Sequence, residues 1–367
     1  MLVTARNTSA EVPQIQPTLT WKQIADPVQP FLDKVSSSLA GQVEAFHPKI
    51  AQYVRYALTS QGKQIRPTLV ALSGAAVGQL NESLVKVAVI IEMVHLATLV
   101  HDDIMDEAEV RRCRPTLAAN WGNELSVLVG DCLFAHSVAL AASFPTPDIC
   151  RAVARATNTV CSGEILQTNQ RHDFSLKRLD YIKALEMKTG ELFALSCELG
   201  AALAGGGQPE RNALRAYGLA LGTAYQLYDD CLDLFGTEAS AGKSLGTDLF
   251  TGKLTLPLLI VLEKGAKSDR EMLQNCVKSL ERDNLEKIFE LLDRYHALSD
   301  TRRVVSQYIK QAQQVLGELE QSKGQDAYSG ITALAALGDY LAQQTRALGV
   351  ARCRRDDRNV RRSRARD

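Results

Sequence analysis

The sequence predicts a single all-α domain, and three observations support this prediction. Apolar residues recur with helical spacing almost everywhere from Trp21 to about Leu348. No alternating run bounded by hairpin turns occurs, as a pair of β-strands would require. The 11 prolines lie mostly near expected helix starts or connections, where a missing backbone N–H is tolerated. We therefore expect helices packed on helices around one core.

Length and composition exclude several classes of protein. The 367 residues are 46% hydrophobic and 23% charged, which is typical of a globular protein. The 42 basic and 42 acidic residues give a net charge of zero, which argues against a nucleic-acid-binding protein. No uninterrupted apolar run approaches about 18 residues, so we expect no membrane span. The N-terminus has no apolar segment typical of a secretory signal.

The eight cysteines are scattered and form no CxxC pair. In a long chain without a signal segment, this pattern indicates reduced and mostly buried thiols. It argues against both a disulfide framework and a zinc site. We therefore expect a cytoplasmic protein.

Three segments follow from periodicity and charge. Residues 1–20 mix Pro, Thr, Gln and Asn without periodicity, as a flexible lead-in does. We expect residues 21–349 to form one helical domain. Residues 350–367 form an Arg-rich tail whose eight arginines and three aspartates give a net charge of +5. The tail has little to bury, so we expect disorder, although its charge could also contact anionic lipid.

The clearest helix is Asn81–Asp106, with Asn81 as its expected N-cap. It is apolar on nearly all sides, so it belongs in the centre of a large bundle. Helical spacing defines further helices before and after it. They are expected at Ile50–Ser60, Glu124–Ala142, Ile149–Gln170, Leu179–Ala204, Glu210–Phe235 and Thr255–Glu263, with more beyond Ser268.

Two DDxxD clusters end apolar helical runs. They comprise Asp102, Asp103 and Asp106, and Asp229, Asp230 and Asp233. Carboxylates at i and i+4 share a helix face and repel each other by a few tenths of a kcal/mol. Oxygen ligands of this kind select a hard cation such as Mg²⁺ or Mn²⁺, which usually bridges to phosphate oxygens. One such cluster would more often be a solvated acidic helix end, but two with basic flanks indicate a metal–diphosphate site.

Cations that suit phosphate flank both clusters. Arg111 and Arg112 follow the first cluster, and Lys243 and Lys253 follow the second. The segment GKQIRP at 62–67 adds Lys63 and Arg66 before a helix. Each of these residues alone would be an ordinary surface cation.

Together these motifs resemble the trans-isoprenyl diphosphate synthases, also called polyprenyl synthetases. The resemblance covers residues 62–257 motif by motif and extends more loosely through the helical region. The motifs are GKQIRP at 62–67, EMVHLATLVHDDIMDEAEVRR at 92–112, MKTGELF at 187–193, GTAYQLYDDCLD at 222–233 and GKSLGTDLFTGKLTLP at 242–257.

The resemblance implies an isoprenoid-synthase-type bundle of long helices around a deep central cavity, usually as a homodimer. The six aspartates would hold Mg²⁺ on the diphosphate of an allylic substrate, with help from Arg111, Lys188, Lys243 and Lys253. Isopentenyl diphosphate, the second substrate, would bind a separate set of residues. That set is Lys63, Arg66, His95 and Arg112.

The implied reaction proceeds by ionisation, condensation and elimination. Cations stabilise the charge growing on the leaving diphosphate, so the protein needs no nucleophile. Thr189, the Lys188 backbone and Gln226 would offer partial negative charge to the allylic carbocation. A dry apolar cavity would protect that cation from water. His95 lies two helical turns before Asp102, which supports its role, although alone it would more often be a buried core histidine.

Small side chains near the first cluster predict a long all-trans product. Short-chain relatives carry bulky aromatic residues about five positions before the first aspartate, where this chain has Ala97 and Thr98. The residues further back on that face are apolar but not aromatic. They are Val94, Met93 and Ile90. A residue on another helix could still close the tunnel.

Three positions depart from the family pattern. Cys113 replaces the usual glycine after the arginine pair, Gln61 replaces a frequent glycine, and Tyr225 replaces a common phenylalanine. None of them removes an expected metal ligand. The alternatives are a short-chain synthase giving farnesyl or geranylgeranyl diphosphate, a terpene cyclase, and a non-catalytic partner subunit.

Overall fold

The computed structural model of the protein describes residues 19–59, 62–236, 246–279, 282–323 and 328–349. Over these ranges the chain is almost entirely helical. The helices are α1 Trp21–Ala25, α2 Gln29–Gly41, α3 Ala51–Leu58, α4 Ile65–Ala75, α5 Glu82–Met105, α6 Leu117–Trp121, α7 Asn123–Ala142, α8 Asp148–Asn169, α9 Arg178–Leu185, α10 Glu191–Leu203, α11 Gln208–Phe235, α12 Thr247–Phe250, α13 Leu256–Lys264, α14 Lys267–Lys278, α15 Arg282–Arg294, α16 Ala297–Lys323 and α17 Tyr328–Ala347.

The predicted all-α fold is confirmed. Helix α5 is the buried centre, and Asn81 caps it by accepting a hydrogen bond from the Leu84 N–H at 3.1 Å. Helix α5 packs against α7, while α10 packs against α4 and α11, and α11 packs against α16. The buried apolar side chains form one cluster that extends from Ile24 to Leu348.

Two local features differ from the prediction. The expected helix Leu179–Ala204 is interrupted by a π-helical turn at Glu186–Gly190, between α9 and α10. A short antiparallel hairpin, β1 Val110–Arg111 and β2 Arg114–Pro115, follows the first aspartate cluster. Each strand has only two residues, too few for the alternation that identifies a strand in a sequence.

Two helices are long and apolar enough to cross a membrane by length and composition alone, although we expected none. They are α5, whose most apolar window is 72% buried, and α7, whose window is 33% buried. Burial explains the composition of α5, since a central core helix is apolar on all sides. Helix α7 instead leaves Val127, Leu128 and Val138 exposed.

The seven cysteines in the described ranges are free thiols, but the prediction that most are buried is wrong, since only Cys197, Cys231 and Cys276 are buried. Residues 1–18 and the Arg-rich tail from residue 350 onward lie outside the described residues. The division into lead-in, catalytic domain and tail therefore stays a prediction.

Candidate active site

A cavity of about 1120 Å³ lies between the long helices. Asp102 of α5 and Asp106, the C-cap of that helix, line it together with Asp229 and Asp230 of α11. The remaining aspartates of the two clusters, Asp103 and Asp233, are 6% and 1% exposed. The fold therefore brings both DDxxD clusters to one cavity.

The first cluster ends α5, and basic residues neutralise it. Asp103 pairs with the guanidinium of Arg111. One carboxylate oxygen of Asp106, Oδ1, lies 2.8 Å from Lys253 Nζ and 3.3 Å from Arg171 Nη2. Burial raises the pKa of Asp102 to about 6, against the opposing charge of Lys188. Each aspartate of the first cluster thus has a basic neighbour.

The second cluster ends α11, and hydrogen bonds orient it. Asp230 accepts hydrogen bonds from the Tyr181 hydroxyl at 2.5 Å and from Gln226 Nε2 at 2.8 Å. Burial, followed by the Asp248 carboxylate, raises the pKa of Asp230 to about 7. Asp233 accepts hydrogen bonds from Thr247 Oγ1 at 3.1 Å and from the Asp248 N–H at 3.2 Å.

The π-helical turn carries Lys188 and Thr189, which both line the cavity. Lys188 pairs with the Glu164 carboxylate and donates to Gln167 Oε1 at 3.1 Å. Although burial lowers the pKa of Lys188, the Asp102 and Glu164 carboxylates raise it overall. Such turns recur at functional sites because they add one residue to a helix and displace its side chains.

Thr189 and Gln226 form one hydrogen-bonded chain that ends at Asp230. The Thr189 hydroxyl donates to Gln226 Oε1 at 2.8 Å, and Gln226 Nε2 donates to Asp230. The Gln226 amide oxygen thus accepts one hydrogen bond, from Thr189, and has a second lone pair. Their expected role beside a carbocation stays a prediction.

The second set of cations lines the same cavity. It comprises Lys63, Arg66, His95 and Arg112. Lys63 Nζ donates to the Tyr340 hydroxyl at 3.0 Å, and the Arg66 guanidinium lies 5.2 Å from the centre of the Phe193 ring. Burial, reinforced by the charges of Arg66 and Arg112, lowers the pKa of His95 well below its ordinary value. The His95 ring is therefore neutral at pH 7.

The hairpin turn explains the Cys113 departure. Arg112 and Cys113 occupy the left-handed region, with φ of 52° and 59°, where glycine is preferred. Gly62 faces the same turn, since a Cβ added there would lie 2.6 Å from Arg112 Cζ. Arg112 is thus held close to the loop that carries Lys63.

The predicted chain-length residues divide into two groups. Thr98 lines the cavity, as does the adjacent Leu99. The other four are at most 1% exposed and, in the described structure, lie outside the lining of the cavity. They are Ala97, Val94, Met93 and Ile90. The face of α5 that meets the cavity therefore runs through His95, Thr98 and Asp102, because these positions are three to four residues apart.

Several residues of the site were missed from the sequence. Glu92, which is 4% exposed, lines the cavity one turn before His95, and its Oε2 has no hydrogen-bond partner among the described residues. Its spacing from His95 was the available signal. Tyr181, Glu164 and Arg171 reach the clusters from distant parts of the chain. Lys243, an expected diphosphate ligand, lies outside the described residues.

Comparison with known proteins places these features in a family. The polyprenyl synthetase family model matches residues 47–293. The chain is 33% identical to heptaprenyl diphosphate synthase component 2 of Bacillus subtilis (strain 168) over 314 residues, which cover 85% of this chain and 88% of that protein. It is 32% identical to octaprenyl diphosphate synthase of Escherichia coli (strain K12) over 306 residues, which cover 83% and 95% of the two chains.

A solved structure agrees with these matches. The polyprenyl synthase from Caulobacter crescentus CB15, solved with calcium and isoprenyl diphosphate, superposes with a TM-score of 0.82 at 29% identity, covering 89% of this chain and 98% of that one. The fold and the two carboxylate clusters at one cavity define an isoprenoid-synthase-type prenyltransferase. The chain belongs to the polyprenyl synthetase family.

Proposed function

We propose that this prenyltransferase condenses isopentenyl diphosphate with an allylic diphosphate to give a long-chain all-trans polyprenyl diphosphate. The observation that carries the proposal is the presence of two separate sets of cations in one cavity. Arg111, Lys188 and Lys253 surround the first aspartate cluster. Lys63, Arg66, His95 and Arg112 form the second set. Two sets suit two diphosphates.

The donor chemistry at the clusters fits Mg²⁺, with Mn²⁺ as a substitute. Carboxylate oxygens are the ligands of a hard cation, and burial leaves Asp102 and Asp230 with raised pKa values that a cation would lower. No group of three acidic, His or Cys side chains in the described ranges converges to hold a metal alone. Mg²⁺ rarely needs such a cage, because it binds one or two carboxylates together with substrate phosphates.

The residues proposed to hold the cation are Asp102, Asp103, Asp106, Asp229, Asp230 and Asp233. When bound, Mg²⁺ would neutralise charge on the allylic diphosphate. Arg111, Lys188 and Lys253 would stabilise the charge that grows on the same diphosphate as its C–O bond breaks. Lys243 is proposed for the same role by resemblance alone.

The second set would hold isopentenyl diphosphate with its double bond towards the allylic carbon. The neutral His95 ring can donate one hydrogen bond to a diphosphate oxygen, while Lys63, Arg66 and Arg112 supply the charge. Thr189, the Lys188 backbone and Gln226 would face the carbocation with partial negative charge. Leu192, Phe193 and Leu221 line the cavity and would exclude water. The proton lost after condensation goes to the released diphosphate.

A long product is supported by the small Thr98 side chain at the cavity and by the hepta- and octaprenyl products in the names of two relatives. Phe134 of α7 also lines the cavity, and its ring would limit the length of the chain. A short-chain synthase is the alternative. Product chromatography with labelled isopentenyl diphosphate decides between them, since release of only farnesyl or geranylgeranyl diphosphate would exclude the long-chain assignment.

One assay tests the function against the remaining alternatives. Purified protein with Mg²⁺, geranyl or farnesyl diphosphate and labelled isopentenyl diphosphate should form longer prenyl diphosphates. Asp102→Asn and Asp230→Asn should each lower the rate at least 100-fold, because each removes a buried charge from a cluster. Turnover of the allylic substrate alone would indicate a terpene cyclase. No turnover with any primer would indicate a non-catalytic subunit.

We further propose that residues 21–349 act as one catalytic domain in a cytoplasmic homodimer. The exposed apolar side chains of α7, Val127, Leu128 and Val138, support the dimer because a monomer rarely leaves such a helix face uncovered. The Arg-rich tail could add peripheral contact with anionic lipid. No nucleic acid is expected as a partner.

A further inference from the structure

Two cations from separate loops meet at one carboxylate oxygen of the first cluster. Lys253 Nζ lies 2.8 Å from Asp106 Oδ1, and Arg171 Nη2 lies 3.3 Å from the same atom. Lys253 follows α12, whereas Arg171 follows α8. Asp106 is thus the point at which two distant loops come together.

The residues beside these cations are also in contact. The His172 N–H donates to the Gly252 carbonyl at 2.9 Å. Gly252 has φ of +73°, and a Cβ added there would lie 2.1 Å from His172 Nε2. Only glycine lets the imidazole approach this backbone so closely. The loop that carries Lys253 is therefore held against the loop that carries Arg171.

The two cations differ in their access to the cavity. Asp106 and Lys253 line it, whereas in the described structure Arg171 lies outside the lining and contacts the same Asp106 oxygen. The Arg171 Nε is buried and has no hydrogen-bond partner among the described residues. A ligand in the cavity can therefore contact Lys253, while Arg171 stays paired with the Asp106 carboxylate.

We propose that Arg171 and His172 are positioning residues for Asp106 and Lys253. Arg171 fixes the orientation of the Asp106 carboxylate, including when Lys253 turns to a diphosphate. His172 holds in place the loop that carries Lys253. The proposal rests on the proposed function, because it takes the ligand at this cluster to be an allylic diphosphate with a divalent cation.

Arg171→Gln removes the positive charge beside Asp106, and Arg171→Lys keeps a positive charge there. His172→Ala removes the imidazole that lies against Gly252 and keeps the backbone hydrogen bond between the two residues. Arg178→Gln is the matched control, since Arg178 begins α9 and pairs with Glu263 instead of an aspartate of the clusters. The probe is an allylic thiolodiphosphate. Sulfur replaces the oxygen that joins the allylic carbon to phosphorus, which prevents the bond to carbon from breaking.

Calorimetry of the probe with Mg²⁺ should show about tenfold weaker binding to the Arg171→Gln protein, a loss typical of residues that orient metal ligands. Arg171→Lys should recover most of the affinity. His172→Ala should raise the KM for the allylic substrate severalfold. Neither Arg171→Gln nor His172→Ala should change the KM for isopentenyl diphosphate, and Tm should stay within about 2 °C of the wild type.

Wild-type binding by the Arg171→Gln protein would overturn the inference and leave the proposed function intact. An equal loss in Arg178→Gln, or an equal rise in both KM values, would also overturn it, because a general structural effect would then explain the result. If the wild-type protein fails to bind the probe with Mg²⁺, the proposed function fails together with the inference.

Discussion

The Tyr181 hydroxyl donates a 2.5 Å hydrogen bond to the Asp230 carboxylate and so joins α9 to the second aspartate cluster. Both side chains are buried, at 4% exposure each. The bond lowers the pKa of Asp230 against the larger effect of burial, which raises it. Tyr181 therefore favours the charged form of this carboxylate.

Replacing Tyr181 with phenylalanine should weaken the metal site. Without the hydroxyl, the charged form of Asp230 loses a partner, so we expect about a tenfold higher Mg²⁺ concentration at half-maximal rate. Tyr217→Phe is the control, because it removes a buried hydrogen bond to the Leu334 carbonyl instead. An equal Mg²⁺ requirement in the two variants would contradict the role of Tyr181.

His95 should stay neutral over the working pH range. Burial and the charges of Arg66 and Arg112 place its pKa well below 6.5, so between about pH 6 and 8 the KM for isopentenyl diphosphate should have the same pH dependence in the wild type and in the His95→Gln protein. A lowered pKa in the folded state contributes stability that is present above the unfolded value and is lost as pH falls.

The loss on acidification can be measured by thermal unfolding. Between about pH 7.5 and 5.5, the His95→Gln protein should lose less stability than the wild type, because it has no buried imidazole to protonate. The exposed His47, replaced by glutamine, provides the control and should follow the wild type. A step in KM near pH 6.5 that the wild type shows and the His95→Gln protein lacks would show that His95 titrates in the ordinary range.

Thr98→Phe should shorten the product. Thr98 lines the cavity, so a phenyl ring there would block the path of the growing chain. Phe134→Ala should lengthen the product, because it removes a phenyl ring of α7 from the lining of the cavity. Chromatography of labelled products measures both changes.

Ala97→Phe is the contrasting variant at the adjacent position. Ala97 is 0% exposed, so a phenyl ring would overpack the core and cost about 1–3 kcal/mol of stability. If Ala97→Phe gave a shorter product at wild-type stability, the result would show that Ala97 does contact the growing chain.

Cys113→Gly should leave the protein as stable or raise its free energy of unfolding by up to about 1 kcal/mol. Glycine relieves the strain of a φ of 59° but adds entropy to the unfolded chain. Denaturant unfolding measures the difference. Cys113→Ala keeps the Cβ and should show no such gain, and a loss of stability with glycine would show that the cysteine is not strained.

Leu128→Glu should convert the proposed dimer to a monomer. Leu128 is 62% exposed on α7, and a buried carboxylate at an apolar interface is costly. Light scattering measures the mass of the wild type and the variant. Lys49→Glu, at an exposed position before α3, is the control. A wild-type monomer would exclude α7 as the dimer contact.

The sequence predicted the helices and both clusters, because helical spacing and local motifs are properties of adjacent residues. Asn81, Asp102 and Asp230 all lie where that reasoning expected them. Contacts such as Lys63 with Tyr340, which are 277 residues apart, have no local signal. The φ angles at the Arg112–Cys113 turn are likewise set by the hairpin, which is too short to show in the residue pattern.

The π-helical turn at Glu186–Gly190 has a consequence for how this site can change by insertion and deletion. The one extra residue rotates the side chains that follow it by about 100° about the helix axis relative to α9. The helix nevertheless continues from α9 through the turn into α10. Deleting a single residue there would restore an ordinary α-helix, and the side chain of Lys188 or Thr189 would then point in another direction. The catalytic surface of this rod therefore depends on its length in residues as much as on their identity.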